Sequence, residues 1–381
     1  MTKVEIIVKA IEKRITWIQA ATILGISDRQ MRRLKTRYEK SGFDGIRDQR
    51  GRTPRRHKIP VQVIEKVLRL KREVYMDFSV RHFHEKLSEH GLDISYTWTK
   101  LTLQSAGLAE KLSRRGTYRR ARERRPMRGM LIHMDGSTHP WISGLPSRDL
   151  IATLDDATGE ILDLRFVLQE GTMSTFAALD VVLRKHGRFG EFYTDKGSHF
   201  RPTQKKDGAP IEGEVGRALR TLGIRQILAQ SPQARGRSER MFQTLQGRLP
   251  QELRLAKVVA YDADADIVLE RVRCDINRRF AVKPEQAESA FVPVVGTSLA
   301  LILSRRDERL VGADNRVSYN NILLQLPETS TRISYARCRV TVHEFIDQTL
   351  GVAFDGQLLA TFSMKGTLLK SQTAAPRKRC A

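Results

Sequence analysis

Three acidic residues stand where a carboxylate has no packing work to do. Glu191-Phe192-Tyr193-Thr194-Asp195-Lys196-Gly197 reads as a short buried strand stopping at Asp195, and the apolar run Met130-Leu131-Ile132-His133-Met134 stops at Asp135. Glu239 follows Ser231-Pro232-Gln233 and opens an amphipathic helix, in which Phe242, Leu245 and Leu249 form the apolar stripe while Gln243 and Gln246 share the Glu239 side. A charge at the end of a core strand is costly unless something binds it. Asp135, Asp195 and Glu239 therefore read as one set with a chemical role.

The elements around them must bring them together. Leu150 to Leu154 and Ile161 to Val167 read as a hairpin about the turn Asp155-Asp156-Ala157-Thr158-Gly159, and a helix runs from about Thr172 to His186. Strand, hairpin, helix, strand, helix and a carboxylate-bearing helix is the order of an RNase H-like fold, which sets its first and fourth strands side by side and lays the last helix across their ends. Three carboxylates then converge and can hold two divalent cations roughly 3.5–4 Å apart, the clamp for an in-line phosphoryl displacement. Oxygen ligands suit Mg²⁺ or Mn²⁺. Asp155 and Asp156 read as turn residues bonded to nearby backbone, and Asp163 as the outward face of a strand. Lys196 and His199 lie close enough in sequence to Asp195 to touch a scissile phosphate, but read as surface residues. His133 and His139 lack any Cys/His spacing that would make a metal site.

On His133-Met134-Asp135-Gly136-Ser137, Tyr193-Thr194-Asp195-Lys196-Gly197-Ser198-His199-Phe200 and Ser231-Pro232-Gln233-Ala234-Arg235-Gly236-Arg237-Ser238-Glu239-Arg240, the segment from Gly129 to Leu253 resembles the catalytic core of DDE transposases and retroviral-type integrases. It departs from the compact integrase pattern in the 43 residues between Asp195 and Glu239, where Arg201 to Gly213, rich in Lys, Gly and Pro, reads as an insertion. The resemblance implies a bacterial insertion-sequence transposase. Such an enzyme binds the terminal inverted repeats of its element, hydrolyses a phosphodiester at each end, and joins the freed 3′-hydroxyl to target DNA by direct transesterification. It uses two Mg²⁺ (or Mn²⁺) ions per site, makes no covalent enzyme–DNA link, and works as a homo-oligomer on double-stranded DNA.

Charge points to the same partner. The 381 residues carry a formal charge of +24, and 32 Lys and Arg against 14 Asp and Glu fall within residues 1–130. Nucleic acid is the natural counterpart of such a chain, with an anionic membrane surface second. No basic helix has a lipid-facing stripe of Trp, Phe and Leu, no apolar run is long enough to span a bilayer, and the amino terminus does not read as a secretory signal. A cytoplasmic, nucleoid-associated protein is expected. Cys274, Cys338 and Cys380 are scattered, which argues against zinc or a disulfide framework.

Lys3 to Lys13, Thr16 to Leu24 and Asp28 to Lys40 read as three helices of a helix-turn-helix. Gly25 supplies the turn, Ser27-Asp28-Arg29-Gln30 is a capping box, and Ile26 with Met31 forms a hydrophobic staple. Met31, Leu34 and Tyr38 face the core, while Arg29, Gln30, Arg32, Arg33, Thr36 and Arg37 point outward, residue types suited to groove edges and phosphates; a solvated basic face is the plainer alternative. Gly45 to Lys58, with Arg52, Arg55 and Arg56, reads either as a minor-groove strand or as a plain linker. Val61 to Tyr75, Val80 to His90 and Ser95-capped Tyr96 to Ala106 make a second helical unit, resembling the winged or homeodomain-like modules of such transposases, with Phe83 and Trp98 in its core. Lys111 to Arg128, holding Arg114, Arg115, Arg119, Arg120, Arg122, Arg124, Arg125 and Arg128, reads as disordered alone and phosphate-bound in a complex.

The expected architecture is multidomain. All-α helix-turn-helix modules (1–44 and 60–110, with basic linkers 45–59 and 111–128) precede an α/β RNase H-like catalytic core (129–285), in which a helix from Asp262 to Phe280 ends the core. Alternating runs at Val317–Leu326, Ile333–His343, Leu350–Phe354 and Gln357–Phe362 read as a carboxy-terminal small β-barrel (300–369), followed by a basic tail (370–381). Two rivals stand beside the transposase reading. A catalytically inactive DNA-binding regulator derived from a transposase would not need all three acids, and a structure-directed nuclease on the same fold would not need two DNA-binding modules and a terminal barrel.

Overall fold

Alternation along one strand decides which side chains meet. In β1 (Leu131–His139) Ile132 and Met134 enter one core layer, so Leu131, His133 and Asp135 face the other side of the sheet. The computed structural model describes residues 3–46, 59–111, 123–201, 203–204, 210–229, 236–296, 298–329 and 332–371. Contacts divide the chain into two compact units, 1–66 and 67–381.

The first unit contains α1 (Lys3–Ile11), α2 (Trp17–Leu24) and α3 (Asp28–Ile46). Gly25, at φ 63°, closes α2 in the left-handed conformation that glycine adopts without strain. The expected capping box is present: the Gln30 amide donates to Ser27 Oγ (3.3 Å) and the Ser27 amide to Gln30 Oε1 (3.1 Å). A second one, between Thr16 and Gln19, starts α2. Met31 and Leu34 are buried and Tyr38 packs against their cluster. Ser41 and Gly42 leave helical geometry, so α3 bends where the sequence reading ended it.

α4 (Val61–Glu73) crosses the boundary into the second unit, where α5 (Val80–Leu87), a 3-10 turn at Ser88–His90 and α6 (Tyr96–Ser105) follow. Ser79 and Ser95 cap α5 and α6. Phe83 is fully buried, as expected, whereas Trp98 is only partly so.

The central sheet uses β1, β2 (Arg148–Asp155), β3 (Ile161–Val167), β4 (Glu191–Thr194) and, beyond the two-residue pair β5 (Thr203–Gln204) and β6 (Pro210–Ile211), β7 (Arg225–Leu228). Its order is β3-β2-β1-β4-β7, antiparallel among the first three strands and parallel from β1 to β4 to β7, the RNase H-like arrangement. α7 (Thr172–Lys185) and α8 (Glu214–Thr221) cover one face through Phe176, Leu179, Val215 and Leu219. α9 (Gly236–Gln246), α10 (Leu249–Leu255) and α11 (Ala263–Phe280) cover the other through Phe242, Leu245, Leu253 and Leu269. Two expectations are corrected. β1 does not stop at Asp135 but runs on to His139, because β2 keeps pairing with it from Asp135–Ala152 to His139–Arg148. The Glu239 helix does not reach Leu249: it ends before Gly247 and Arg248, and Leu249 starts α10.

After α12 (Leu299–Ile302), the strands β8 (Arg305–Leu310), β11 (Arg339–Glu344), β12 (Thr349–Phe354), β13 (Gln357–Ser363) and β14 (Leu368–Ser371) form an antiparallel sheet in the order β14-β13-β12-β11-β8. β9 (Arg316–Tyr319) and β10 (Ile322–Gln325) form a separate hairpin. The closed barrel is not found: among the described residues no pairing joins β14 to β8. Instead Val317 and Leu324 of the hairpin pack into the sheet's core beside Val340, Val352 and Phe362. That buries the open face by side chains rather than by a backbone ladder.

Candidate active site

The pairs Leu131–Glu191, Ile132–Phe192 and His133–Tyr193 set the register of the parallel strands β1 and β4. Asp135 lies two residues beyond the last of these pairs on β1, and Asp195 directly follows the end of β4 at Thr194. Alternation puts Asp135 on the side of His133, the face that α9 covers, where its β2 partner Ala152 packs with Phe242 and Leu245. Asp135 is 7% exposed and Asp195 half-buried. One oxygen of each is held by local backbone: Asp135 Oδ1 accepts from the Gly136 amide (3.0 Å) and Asp195 Oδ1 from the Gly197 amide (2.7 Å).

α9 lies along β1, and Gln246 Nε2 donates to Ser137 Oγ (3.0 Å), two residues beyond Asp135. Glu239 sits two turns before Gln246 on the same helical line, at the exposed rim. Asp135 thus lies within β1, Asp195 just past the end of the neighbouring strand β4, and Glu239 on the helix packed along β1. Among the described residues no three His, Cys, Asp or Glu side chains stand close enough to hold an ion. The donor chemistry fits a hard divalent cation: the side-chain donors of Asp135, Asp195 and Glu239 are all carboxylate oxygens.

Sequence reasoning missed a fourth acid. A Cβ on Gly136 would run into the Glu170 carboxylate, so Glu170 lies against the strand beside Asp135, on the sheet's other face. His199 Nε2 is buried there without a hydrogen bond among the described residues, 3.7 Å from Glu170 Oε1. Only the position of Glu170, between a strand and a helix start, hinted at this, and there it looks like an ordinary first-turn acid. Lys196 is exposed, as expected; His199 is not fully at the surface.

The turn acids are more than turn formers. Asp155 accepts the amides of Thr158 and Gly129, as a turn residue does. Asp156 is 1% exposed, and its carboxylate receives His133 Nε2 (2.7 Å), the Arg125 amide (2.7 Å) and Arg237 Nη1. Burial alone would raise its pKa, but the hydrogen bonds from His133, Arg237 and the Arg125 amide outweigh it and hold the carboxyl well below the usual range. Asp163 is likewise buried rather than outward, and its carboxylate pairs with Arg165 (2.6 Å). Arg124 bonds the carbonyls of Asp156 and Ala157, Arg125 pairs with Glu191 (2.6 Å) and Arg128 with Glu160 (2.8 Å). The described end of the basic run is therefore anchored on protein.

In the first unit, Arg29, Gln30, Arg32, Arg33, Thr36 and Arg37 are all exposed, and all but Gln30 line a shallow concavity of about 440 Å³ on α3. Arg52, Arg55, Arg56, Arg114, Arg115, Arg119 and Arg120 lie outside the described residues, as does the Ser231-Pro232-Gln233 lead-in to α9. Of the cysteines, Cys274 and Cys338 are free thiols. No helix among the described residues is long and apolar enough to cross a membrane.

Residues 2–54 match a helix-turn-helix domain family. The chain is 35% identical over 366 residues to y4bF of Sinorhizobium fredii, a protein with a transposase name, covering 94% of this chain and 79% of that relative. It is 29% identical over 361 residues to the transposase for insertion sequence IS1202 of Streptococcus pneumoniae, covering 84% and 77%. Solved structures overlap more loosely. The HTLV-2 integrase catalytic core domain in complex with magnesium is 12% identical, over 43% of this chain and 97% of that one, at a TM-score of 0.32. The simian T-cell lymphotropic virus intasome is 13% identical, over 77% and 96%, at 0.34; both scores are too low to argue from.

Proposed function

This chain belongs to the insertion-sequence transposase family, and from that premise we propose that it cuts and joins DNA with Asp135, Asp195 and Glu239 as the ligands of two Mg²⁺ or Mn²⁺ ions. The observation that supports this reading is the parallel pairing of β1 with β4, the strands that carry Asp135 and lead into Asp195, with the helix of Glu239 packed along β1. Asp135 supplies an oxygen donor from β1, Asp195 one from the residue that follows β4, and Glu239 the third from α9. Bound there, divalent cations would neutralise charge on the scissile phosphate and lower the barrier to attack on phosphorus. The exposed arginines of α3 bind the terminal inverted repeats, the basic residues at 112–122 follow the phosphate backbone, and a homo-oligomer holds both element ends with target DNA.

An assay of 3′-end nicking and strand transfer on DNA carrying the element's own termini, with Mg²⁺ or Mn²⁺, tests the reading. Asp195→Asn should reduce both products by about three orders of magnitude while end binding stays. Asp163→Asn, altering an acid paired with Arg165, should leave them within a small factor. Full cleavage by Asp195→Asn would refute the assignment.

A further inference from the structure

The two elements that carry Asp135 and Glu239 are tied to each other through one buried side chain. His133, two residues before Asp135 on β1, donates Nε2 to Asp156 Oδ1 at 2.7 Å. Arg237, two residues before Glu239 in the first turn of α9, donates Nη1 to the same oxygen and Nη2 to the Glu123 carbonyl (2.9 Å). The other oxygen takes the Arg125 amide (2.7 Å). Asp156 side-chain exposure is 0%, that of His133 5% and that of Arg237 24%, so the junction is shielded from solvent and little screened.

We propose that Asp156 is a positioning residue for the catalytic acids: by accepting from His133 and Arg237 at once, it sets the first turn of α9 against β1 and so fixes the reach from Glu239 to Asp135. The inference rests on the carboxylate set proposed above and adds what holds its third member in place. The geometry supports a role beyond packing. A turn residue needs only local amides, as Asp155 shows with Thr158. Asp156 instead joins residues 23 and 81 positions away, each offset by two from an acid of the set. The offset of two puts His133 on the same face of β1 as Asp135, one step back along the strand, whereas on α9 it turns Arg237 roughly 200° away from Glu239. Both side chains are spent on Asp156, so each ties the backbone two residues from an acid of the set to the same buried carboxylate. A salt bridge with this burial is also strict about geometry, because breaking either half leaves a charge stranded.

The test uses the full chain. Arg237→Gln removes the α9 half of the junction at its more exposed end, and Asp156→Asn removes the hub. For each, Mn²⁺ affinity is read by electron paramagnetic resonance, kcat and KM by cleavage of end DNA, and Tm by calorimetry. Both variants should bind Mn²⁺ about 10- to 100-fold more weakly and lose kcat in similar measure, with KM for end DNA within about twofold of wild type. Arg237→Gln, whose amide can still donate to Asp156 while His133 and the Arg125 amide stay bonded to it, should lower Tm but leave the chain folded, and Arg237→Lys should restore part of the loss. The proposal is overturned if folded Arg237→Gln keeps wild-type Mn²⁺ affinity and kcat. It is overturned too if only KM for DNA rises, which would make Arg237 a phosphate contact. Asp195→Asn in the same assays separates this failure from that of the carboxylate set. If Asp195→Asn also leaves Mn²⁺ binding and cleavage intact, the set itself is wrong and the clamp falls with it.

Discussion

Buried residues with a charge or a proton to lose report on their surroundings one at a time. His343 is 4% exposed in β11, hydrogen-bonded to Ser304 Oγ through Nδ1 (2.8 Å), stacked on Phe345, and near Arg306 and Arg217. Burial first, and then those two guanidiniums, pull its pKa down to about 4. The unfolded chain takes up this proton below its ordinary value near 6.5 and the folded chain only below about 4, so stability falls as pH drops between them. The loss is at most about 3 kcal/mol. In urea unfolding at pH 6.5 and pH 4.5, wild type should lose more stability than His343→Gln; equal losses would mean that His343 already carries its proton in the fold. At this scale the sequence was a partial guide. Asp135 and Asp195 could be singled out because each follows an apolar run. Asp156 could not, since a turn acid has the same sequence signature whether it faces water or a partly buried arginine 81 positions away.

Single elements add constraints that pairs of residues do not. α5 is held to α10 by ion pairs that reach across 163 to 170 positions of sequence. Glu252, 6% exposed, takes His82 Nε2 (2.8 Å) and Lys86 Nζ (2.9 Å), and Arg248 pairs with Glu85 (2.6 Å). Removing Glu252 takes the acceptor from buried His82 Nε2 and leaves Lys86 its pair with Glu89, so Glu252→Ala should cost about 1–3 kcal/mol of stability. Arg254→Ala breaks the more exposed pair with Asp77 and should cost less than about 1 kcal/mol. Comparable urea midpoints for the two variants would show that the α5–α10 contact is not held by charge. Elements were legible where a local code exists. Ser27 and Gln30 mark the start of α3, and Asp355-Gly356 marks the β12–β13 turn, with both residues at positive φ. The turn at Asn320-Asn321, also at positive φ, carries the Asn preference of such turns. Yet it was read through as one strand from Val317 to Leu326, because the apolar alternation continues across it.

For the molecule as a whole, the +24 charge sets how it meets DNA. Binding to end DNA should weaken linearly in log salt, with a slope of about −0.9 per phosphate neutralised. Arg32→Ala, Arg33→Ala and Arg37→Ala, each altering an exposed side chain of α3, should each flatten that slope by about one wherever the arginine meets a phosphate. Gln30→Ala should instead blur sequence preference at constant slope. A filter-binding series from low to high salt would expose the opposite case, in which no α3 arginine changes the slope and end binding is placed elsewhere in the chain.

By itself the sequence determined the helix starts, the order of strands and helices, the alternating core and the acids that close two of its apolar runs. All of these are written in local patterns of two to four residues, and local backbone sterics and solvation read such patterns directly. The tertiary structure decided what depends on partners far away in the chain. The register of β1 on β4, with Leu131 opposite Glu191, comes from pairing across 60 positions. The burial of Asp156 and Asp163 depends on helices and arginines packed over them, and the open carboxy-terminal sheet on which strands found edges to pair with. Register, burial and closure are properties of contacts between segments, and no single segment holds the information that sets them.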